Sequence, residues 1–486
     1  MDLRTKLSRL RPSAGTPPRT PEPAVEPPLD DRLAALRARM SDLVARSRSK
    51  VAEAREKQAA EIEARLAASP LPFEEEATAL GPVHVRQVPH PVQSRVGWAD
   101  VHAARGAQGD DLALLAIDPG LAGCDPSRAL YLDTEATGLA GGTGTIPFLI
   151  GVAWFEGSSF VVEQLLLRRL GEEAPMLARL AERIAASSML VTFNGKSFDM
   201  PLLRTRYVMN RLPLPQEPPH FDLVHLARRI HRRAPPRAAE RAVAGAGAPS
   251  MERWDDEGAQ RVASCKLVAL ERTLLGFARE GDIDGGEVPA RYTQFLRHGD
   301  ADAIRAVCDH NLWDVVSMAG LVGVYAEGLR SVASDDAPAS RLTSHDLVGL
   351  ARTLDRAGAL ALARRAADVA VADAERDGAD ALLTLRARTV RGGLHKKARD
   401  VEAARDDFAH LAQHHDDPHA RLELAKLLEH RLRAPEEALR VVEQGTTEDP
   451  ARFDHRRERL RRKVAGRRGH EQLPLPRALD ARRSKD

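Results

Sequence analysis

The apolar positions of the chain change their period several times, and each change marks an element. Residues 31–68, DRLAALRARMSDLVARSRSKVAEAREKQAAEIEARLAA, combine strong helix formers with a thin stripe of Leu, Met and Val. That pattern predicts a charged, solvated helix or weak coiled coil over 31–70. From Leu71 the period shortens, and LGPVHVRQVPHPV alternates as a strand does. Leu130–Glu135 and Pro147–Phe155 are apolar runs of strand length, and SFVVEQLLLRRL follows the Glu156–Gly157 turn as the second arm of a hairpin would. APMLARLAERIAAS has helical spacing. MLVTFNGKSFD reads as a buried strand entering a turn, MPLLRTRYVMNRL as a helix, and HFDLVHLARRI as a strand passing into a helix. Helices resume at CKLVALERTLLGF and DADAIRAVCDHNLWDVVSMAGLVGVYAEGL. Three strands joined by hairpins, then strand–helix alternation, predict an α/β domain with a mixed sheet over 71–335.

Beyond Ser344 the pattern is helical throughout. Three stretches between 344 and 450 repeat a similar Ala/Leu spacing, each long enough for a helical pair, and predict a tetratricopeptide-like all-α domain. An ordinary helical bundle is the alternative. Residues 1–30 are proline-rich and poor in large apolar residues, so they are expected to be disordered. The Ala/Pro/Gly-rich segment 232–263 is expected to be a flexible insertion, and 451–486 is a basic tail. At 486 residues, the chain is too long for one ordinary core.

Composition adds little. A net charge of +2 gives no overall polyanion-binding signature, so a nucleic-acid role must rest on local patches. Cys124, Cys265 and Cys308 form no disulfide framework or CxxC pair, and Cys265 and Cys308 are expected to be small buried residues. Without a secretory h-region or an uninterrupted apolar run long enough to span a bilayer, the expectation is a cytoplasmic protein without membrane contact.

The candidate chemistry lies in the carboxylates. Asp133 and Glu135 stand two apart at a strand end and therefore share a face. Two such acids repel unless a cation lies between them or one is protonated. Asp199 follows a buried strand, and Asp314 lies on a late helix with His310 one turn earlier. Four acids from three elements suit a pair of Mg2+ or Mn2+ ions about 3.5–4 Å apart, as in phosphoryl chemistry. NGKS at 194–197 lacks the glycine spacing of a phosphate-binding loop and reads as a turn. Phe193 and Phe198 are candidates for base stacking, with core packing preferred. Asp222 is either a helix cap or a carboxylate supporting the site.

The motifs YLDTEATGLAGGTGTIPFLIGVAWF, VTFNGKSFDMPLLRTR, HFDLVHLARR, CKLVALERTLLGFAREGDIDGGEVP and VCDHNLWDVVSMAGL together resemble the DEDD (DnaQ-like) exonuclease superfamily on the ribonuclease H-like fold. Within it they look like the YprB-type ribonuclease H-like proteins, over roughly residues 80–329. The resemblance implies a 3′–5′ exonuclease acting on DNA or RNA, with Asp133, Glu135, Asp199 and Asp314 as metal ligands. Thr134, Gly138, Asn194 and Lys196 are the candidate substrate contacts. The family usually places His five residues, or Tyr four residues, before the last Asp. Here Asp309 and His310 hold those positions, and His310 is the candidate to orient or deprotonate the attacking water. Two readings compete with an exonuclease: a structure-selective endonuclease, and a non-catalytic scaffold whose helical repeats bind protein partners.

Overall fold

The computed structural model describes residues 29–138, 143–231, 265–334, 341–377 and 381–471. The proline-rich segment 1–28, the whole of the expected insertion at 232–263 and the tail end 472–486 lie outside these residues. The chain divides into two compact units, Met1–Ala68 and Ser69–Asp486. In the first, Leu29–Ala68 is one helix (α1) whose large apolar side chains, Leu33, Leu36, Met40 and Leu43 among them, stay exposed.

The second unit is built on a seven-stranded sheet of order β1-β2-β7-β6-β5-β8-β9. Its strands are β1 (Glu74–Thr78), β2 (Gly81–Pro91), β5 (Ala129–Ala136), β6 (Pro147–Glu156), β7 (Ser159–Leu166), β8 (Met189–Thr192) and β9 (His220–Asp222). Two-residue strands β3 (Arg95–Val96) and β4 (Ala99–Asp100) pair separately. β5, β6 and β7 form the expected antiparallel run, with Gly157 at φ +55° in the β6–β7 turn. β8 and β9 extend the sheet in parallel, each followed by a helix. The mixed sheet read from the sequence is therefore the one observed.

β6 is buried over its first seven residues without alternation, as expected of a central strand covered on both faces. Helix α2 (Gly109–Ala116), a 3-10 turn at Val101–Gly106 and β1 carry no clear periodic signal and were absent from the sequence reading. β1 is all exposed and begins Glu-Glu-Glu, a charged edge strand that alternation cannot reveal. CKLVALERTLLGF forms one α-helical turn (Leu267–Leu270) that widens into a π-turn (Glu271–Leu275), shorter than the predicted helix.

The remaining helices before the sheet's last crossing are α3 (Glu173–Ala186), α4 (Asp199–Met209) and α5 (Leu223–His231). With Leu267–Leu270 counted as α6, α7 (Val288–His298) and α8 (Ala301–Ala333) follow. α8 is long and apolar enough by composition to cross a membrane, but 83% of its apolar window is buried within the protein. His310 and Asp314 interrupt it, and its apolar positions join the central core.

After α8 come α9 (Ser344–Arg356), α10 (Leu360–Asp377), α11 (Ala381–Lys397), α12 (Val401–His414), α13 (Pro418–His430), α14 (Pro435–Glu443) and α15 (Pro450–Glu471). This all-helical region follows the sheet as expected. The core does not divide between 335 and 344, however. One cluster runs from Tyr131 and Phe160 in the sheet through Tyr325 in α8 to Leu347, Leu354, Ala367 and Leu394. A second cluster, containing Leu385, Phe408, Leu424 and Leu460, holds the last helices together.

Candidate metal-binding active site

β5 delivers Asp133, Thr134 and Glu135 to the edge of a cavity of about 400 Å³. The turn after β8 and the start of α4 bring Asn194, Phe198 and Asp199 to the same cavity, and Gly138 also lines it. Asp199 stands at a helix start, but its Oδ1 accepts from Thr134 Oγ1 at 2.6 Å rather than capping its own helix. α8 supplies His310 and Asp314 on one face. His310 Nε2 lies 3.9 Å from Glu135 Oε1 and 3.6 Å from Asp314 Oδ2. Glu135 is thus shared between the cavity wall and a three-residue cluster that could hold a metal ion.

The acids are costly neighbours. Burial pushes the Asp133 carboxyl well above the usual carboxylate range, and Asp314, Asp199 and Glu135 raise it further. Burial, then Asp314 and Asp199, do the same to Glu135. Burial raises Asp199 to about 6, despite the hydrogen bond from Thr134 that favours its charged form. Asp314 and Asp199 act on both Asp133 and Glu135, so the four acids lie close together. Among the described residues, Glu135 accepts no hydrogen bond.

Several residues essential to this arrangement were missed by sequence reasoning. Asn311 Nδ2 donates to Asp133 Oδ2 at 2.8 Å, while Gln164 Nε2 donates to Asn311 Oδ1 at 3.0 Å. Gly151 on β6 leaves room for Asn311, since a Cβ there would sit 2.2 Å from Asn311 Oδ1. The irregular segment after the π-turn contributes Arg279 and Asp282. Arg279 is buried, donates to Asp314 Oδ1, and pairs with buried Glu271 at 2.5 and 2.9 Å. Asp282 Oδ1 lies 2.6 Å from His310 Nδ1. One signal was available: Asp282 and Arg279 lie within a motif that carried the resemblance.

The other candidates fall into place individually. Asp309 is exposed and faces Arg86 at 3.5 Å, away from His310's partners. Asp222 accepts from the backbone N–H groups of Asn194 (2.7 Å), Lys196 (3.0 Å) and Val224 (3.2 Å), so it both fixes the turn before Asp199 and caps α5. Asn194 holds that turn at φ +71°. The Lys196 ammonium lies 3.9 Å from Asp118, and the residue does not line the cavity. Both Phe193 and Phe198 line the cavity, Phe193 also packing against the core while Phe198 is 55% exposed. Cys308 is buried, but Cys265 is only partly so.

The mixed sheet thus presents a carboxylate pair at the end of β5, and α8 brings Asp314 beside it. Residues 130–325 match the family model RNase_H_2, described as RNase_H superfamily. The chain is similar to "Uncharacterized protein YprB" of Bacillus subtilis (strain 168), at 28% identity over 358 residues. That alignment covers 71% of this chain and 75% of the relative, so it extends past the RNase H region.

Proposed function

We propose that the protein is a metal-dependent nuclease, a 3′–5′ exonuclease that hydrolyses phosphodiester bonds in DNA or RNA. The observation that carries this reading is the grouping of Asp133, Glu135, Asp199 and Asp314, in which Asp314 and Asp199 both raise the proton affinity of Asp133 and Glu135. Such a cluster is stable in its ionised form only with compensating positive charge. The donor set fits Mg2+ or Mn2+, because it is oxygen-rich and Glu135 has no hydrogen-bond donor of its own among the described residues. Asp133, Glu135, Asp199 and Asp314 would hold the ions. Bound divalent ions polarise the scissile phosphate and make water a nucleophile near neutral pH.

The chain's own groups have distinct parts. Thr134 and Asn311 orient Asp199 and Asp133 by hydrogen bonds. His310 lies beside Glu135 and Asp314 and so acts at the metal-binding cluster, whereas Asp309 faces Arg86 instead. Phe198 offers an exposed ring on which a terminal base can stack. A cavity of about 400 Å³ suits one nucleotide unit better than a duplex, which favours attack at a chain end. The helices after Ser344 are proposed as a tetratricopeptide-like surface for a protein partner.

The test is hydrolysis of end-labelled linear and covalently closed circular DNA and RNA by the purified full chain. Release of mononucleotides from 3′ ends, only with Mg2+ or Mn2+, is the expected result. Cleavage of circles would replace the exonuclease with an endonuclease. No hydrolysis of any substrate by metal-loaded protein would remove the nuclease reading.

A further inference from the structure

We infer that His310 is itself a metal ligand through Nε2, which makes part of the site a mixed nitrogen–oxygen centre that prefers Mn2+ to Mg2+. The inference rests on the proposed nuclease only in taking a divalent ion to bind here.

Glu135 Oε1, His310 Nε2 and Asp314 Oδ2 face one another, and the potential ligand atoms of these residues lie within 4.8 Å of one another. At 3.9 and 3.6 Å, the separations from Nε2 exceed hydrogen-bond length.

The other donor atoms are already committed. His310 Nδ1 lies 2.6 Å from the Asp282 carboxylate, which can only accept when ionised, so the ring proton sits on Nδ1. Nε2 is then the ring atom that faces Glu135 and Asp314. Asp314 Oδ1 is taken by Arg279, leaving Oδ2 to the cluster. Glu135 Oε1, His310 Nε2 and Asp314 Oδ2 are then the three atoms that face a common point where a cation can bind.

The supporting shell is rigid. Arg279 is anchored on buried Glu271 and reaches Asp282 Oδ2 at 3.6 Å. A carboxylate–histidine pair backed in this way matches the arrangement in which an outer carboxylate fixes the tautomer of a metal-bound imidazole. An imidazole ligand favours first-row transition ions over Mg2+, which keeps to oxygen.

The experiment is pulsed electron paramagnetic resonance of Mn2+ bound to the full chain, with 14N- or 15N-histidine incorporated. A directly bonded nitrogen coupling is expected that changes with the isotope and disappears in His310→Ala and His310→Gln. Calorimetry should show Mn2+ affinity falling at least roughly 10-fold in both variants, with the Mn2+/Mg2+ preference reduced. Asp282→Ala should weaken Mn2+ binding roughly 10–100-fold, and Asp282→Asn, which keeps an acceptor for Nδ1–H, should restore much of it.

Bound Mn2+ showing no nitrogen coupling, with affinity unchanged in the His310 variants, would overturn the inference and leave the nuclease proposal standing. A nitrogen-coupled ion in a protein that hydrolyses no nucleic acid would do the reverse. Absence of Mn2+ binding to the wild-type chain would remove both.

Discussion

Asp133 and Asp199 each combine burial with a specific hydrogen-bond donor, so replacing either carboxylate changes charge with little change in shape. Asp133→Asn and Asp199→Asn are expected to lower turnover by more than about 100-fold while the protein still folds, measured by nuclease rate beside far-ultraviolet circular dichroism. Without metal the acids oppose folding. The folded-state pKa of Asp199, about 6, lies above the ordinary aspartate value of 3.8, so the folded form takes up protons first. In chelator, the melting temperature should therefore rise as pH falls from about 7 to about 5, and Asp199→Asn should flatten that rise. A metal-free protein whose stability falls steadily over that window would contradict the burial of these groups. Gly151→Ala tests the site from behind. Its new methyl would collide with Asn311, and overpacking of this kind costs about 1–3 kcal/mol. Activity should fall with stability, because Asn311 then loses its hold on Asp133, and wild-type turnover would show that this contact is dispensable. Asp133 and Glu135 were legible because residues i and i+2 of a strand share a face, and His310 and Asp314 because i and i+4 do on a helix. Arg279, Glu271 and Asp282 were not, since their partners lie 8–35 residues away across irregular backbone.

The last helix, α15, shows how much an element depends on one buried partner. Glu429 in α13 is buried and takes hydrogen bonds from Arg456, Arg459 and Lys463 of α15 at 2.7–3.2 Å. Burial alone would raise the pKa of Glu429. The hydrogen bonds from Arg459 and Lys463 outweigh it and hold the carboxyl down at about 2. Because this folded-state pKa is depressed, the stabilisation is present above about pH 4.5 and is lost as pH falls toward 2. Glu429→Gln should weaken the anchor of α15 by about 1.5–3 kcal/mol, the range for hydrogen bonds to charged groups. Hydrogen exchange along 450–466 would detect it, and unchanged protection there would show that Leu460 and its apolar neighbours suffice. From sequence, the segment reads only as a basic tail, because the partner that neutralises it sits on another helix. The strong strands and long helices were legible because their periods are long and clean. β1 and the 3-10 turns were not, because charge or brevity hides the period.

At the scale of the whole molecule, the sheet and the first C-terminal helices share a core. Every proposed metal ligand lies before residue 335, so the active-site acids alone would suggest that a chain ending at Thr343 is sufficient. The packing argues otherwise. Gly349 approaches so closely that a Cβ there would sit 2.2 Å from the Ile230 carbonyl oxygen. His231, at the end of α5, bridges Asp346 of α9 at 2.9 Å and the Tyr325 hydroxyl of α8 at 2.8 Å, all three buried. Leu347, Val348, Leu350 and Leu354 are also buried against this surface. Each such side chain contributes about 1.5–3 kcal/mol on burial, so losing four is comparable to the whole stability of a typical domain, about 5–15 kcal/mol. A chain ending at Thr343 should therefore be aggregated or molten, with hydrolysis lost through unfolding rather than through a missing catalytic group. A chain ending near Asp400 keeps α9, α10 and α11 on the shared core and discards most of the second cluster. It should melt cooperatively, bind Mn2+ as the full chain does, and hydrolyse a short substrate at a comparable rate. Calorimetry and a nuclease assay on the two truncations decide the matter. A stable, active chain ending at Thr343 would show that the shared core is an accessory contact and that the RNase H region folds alone.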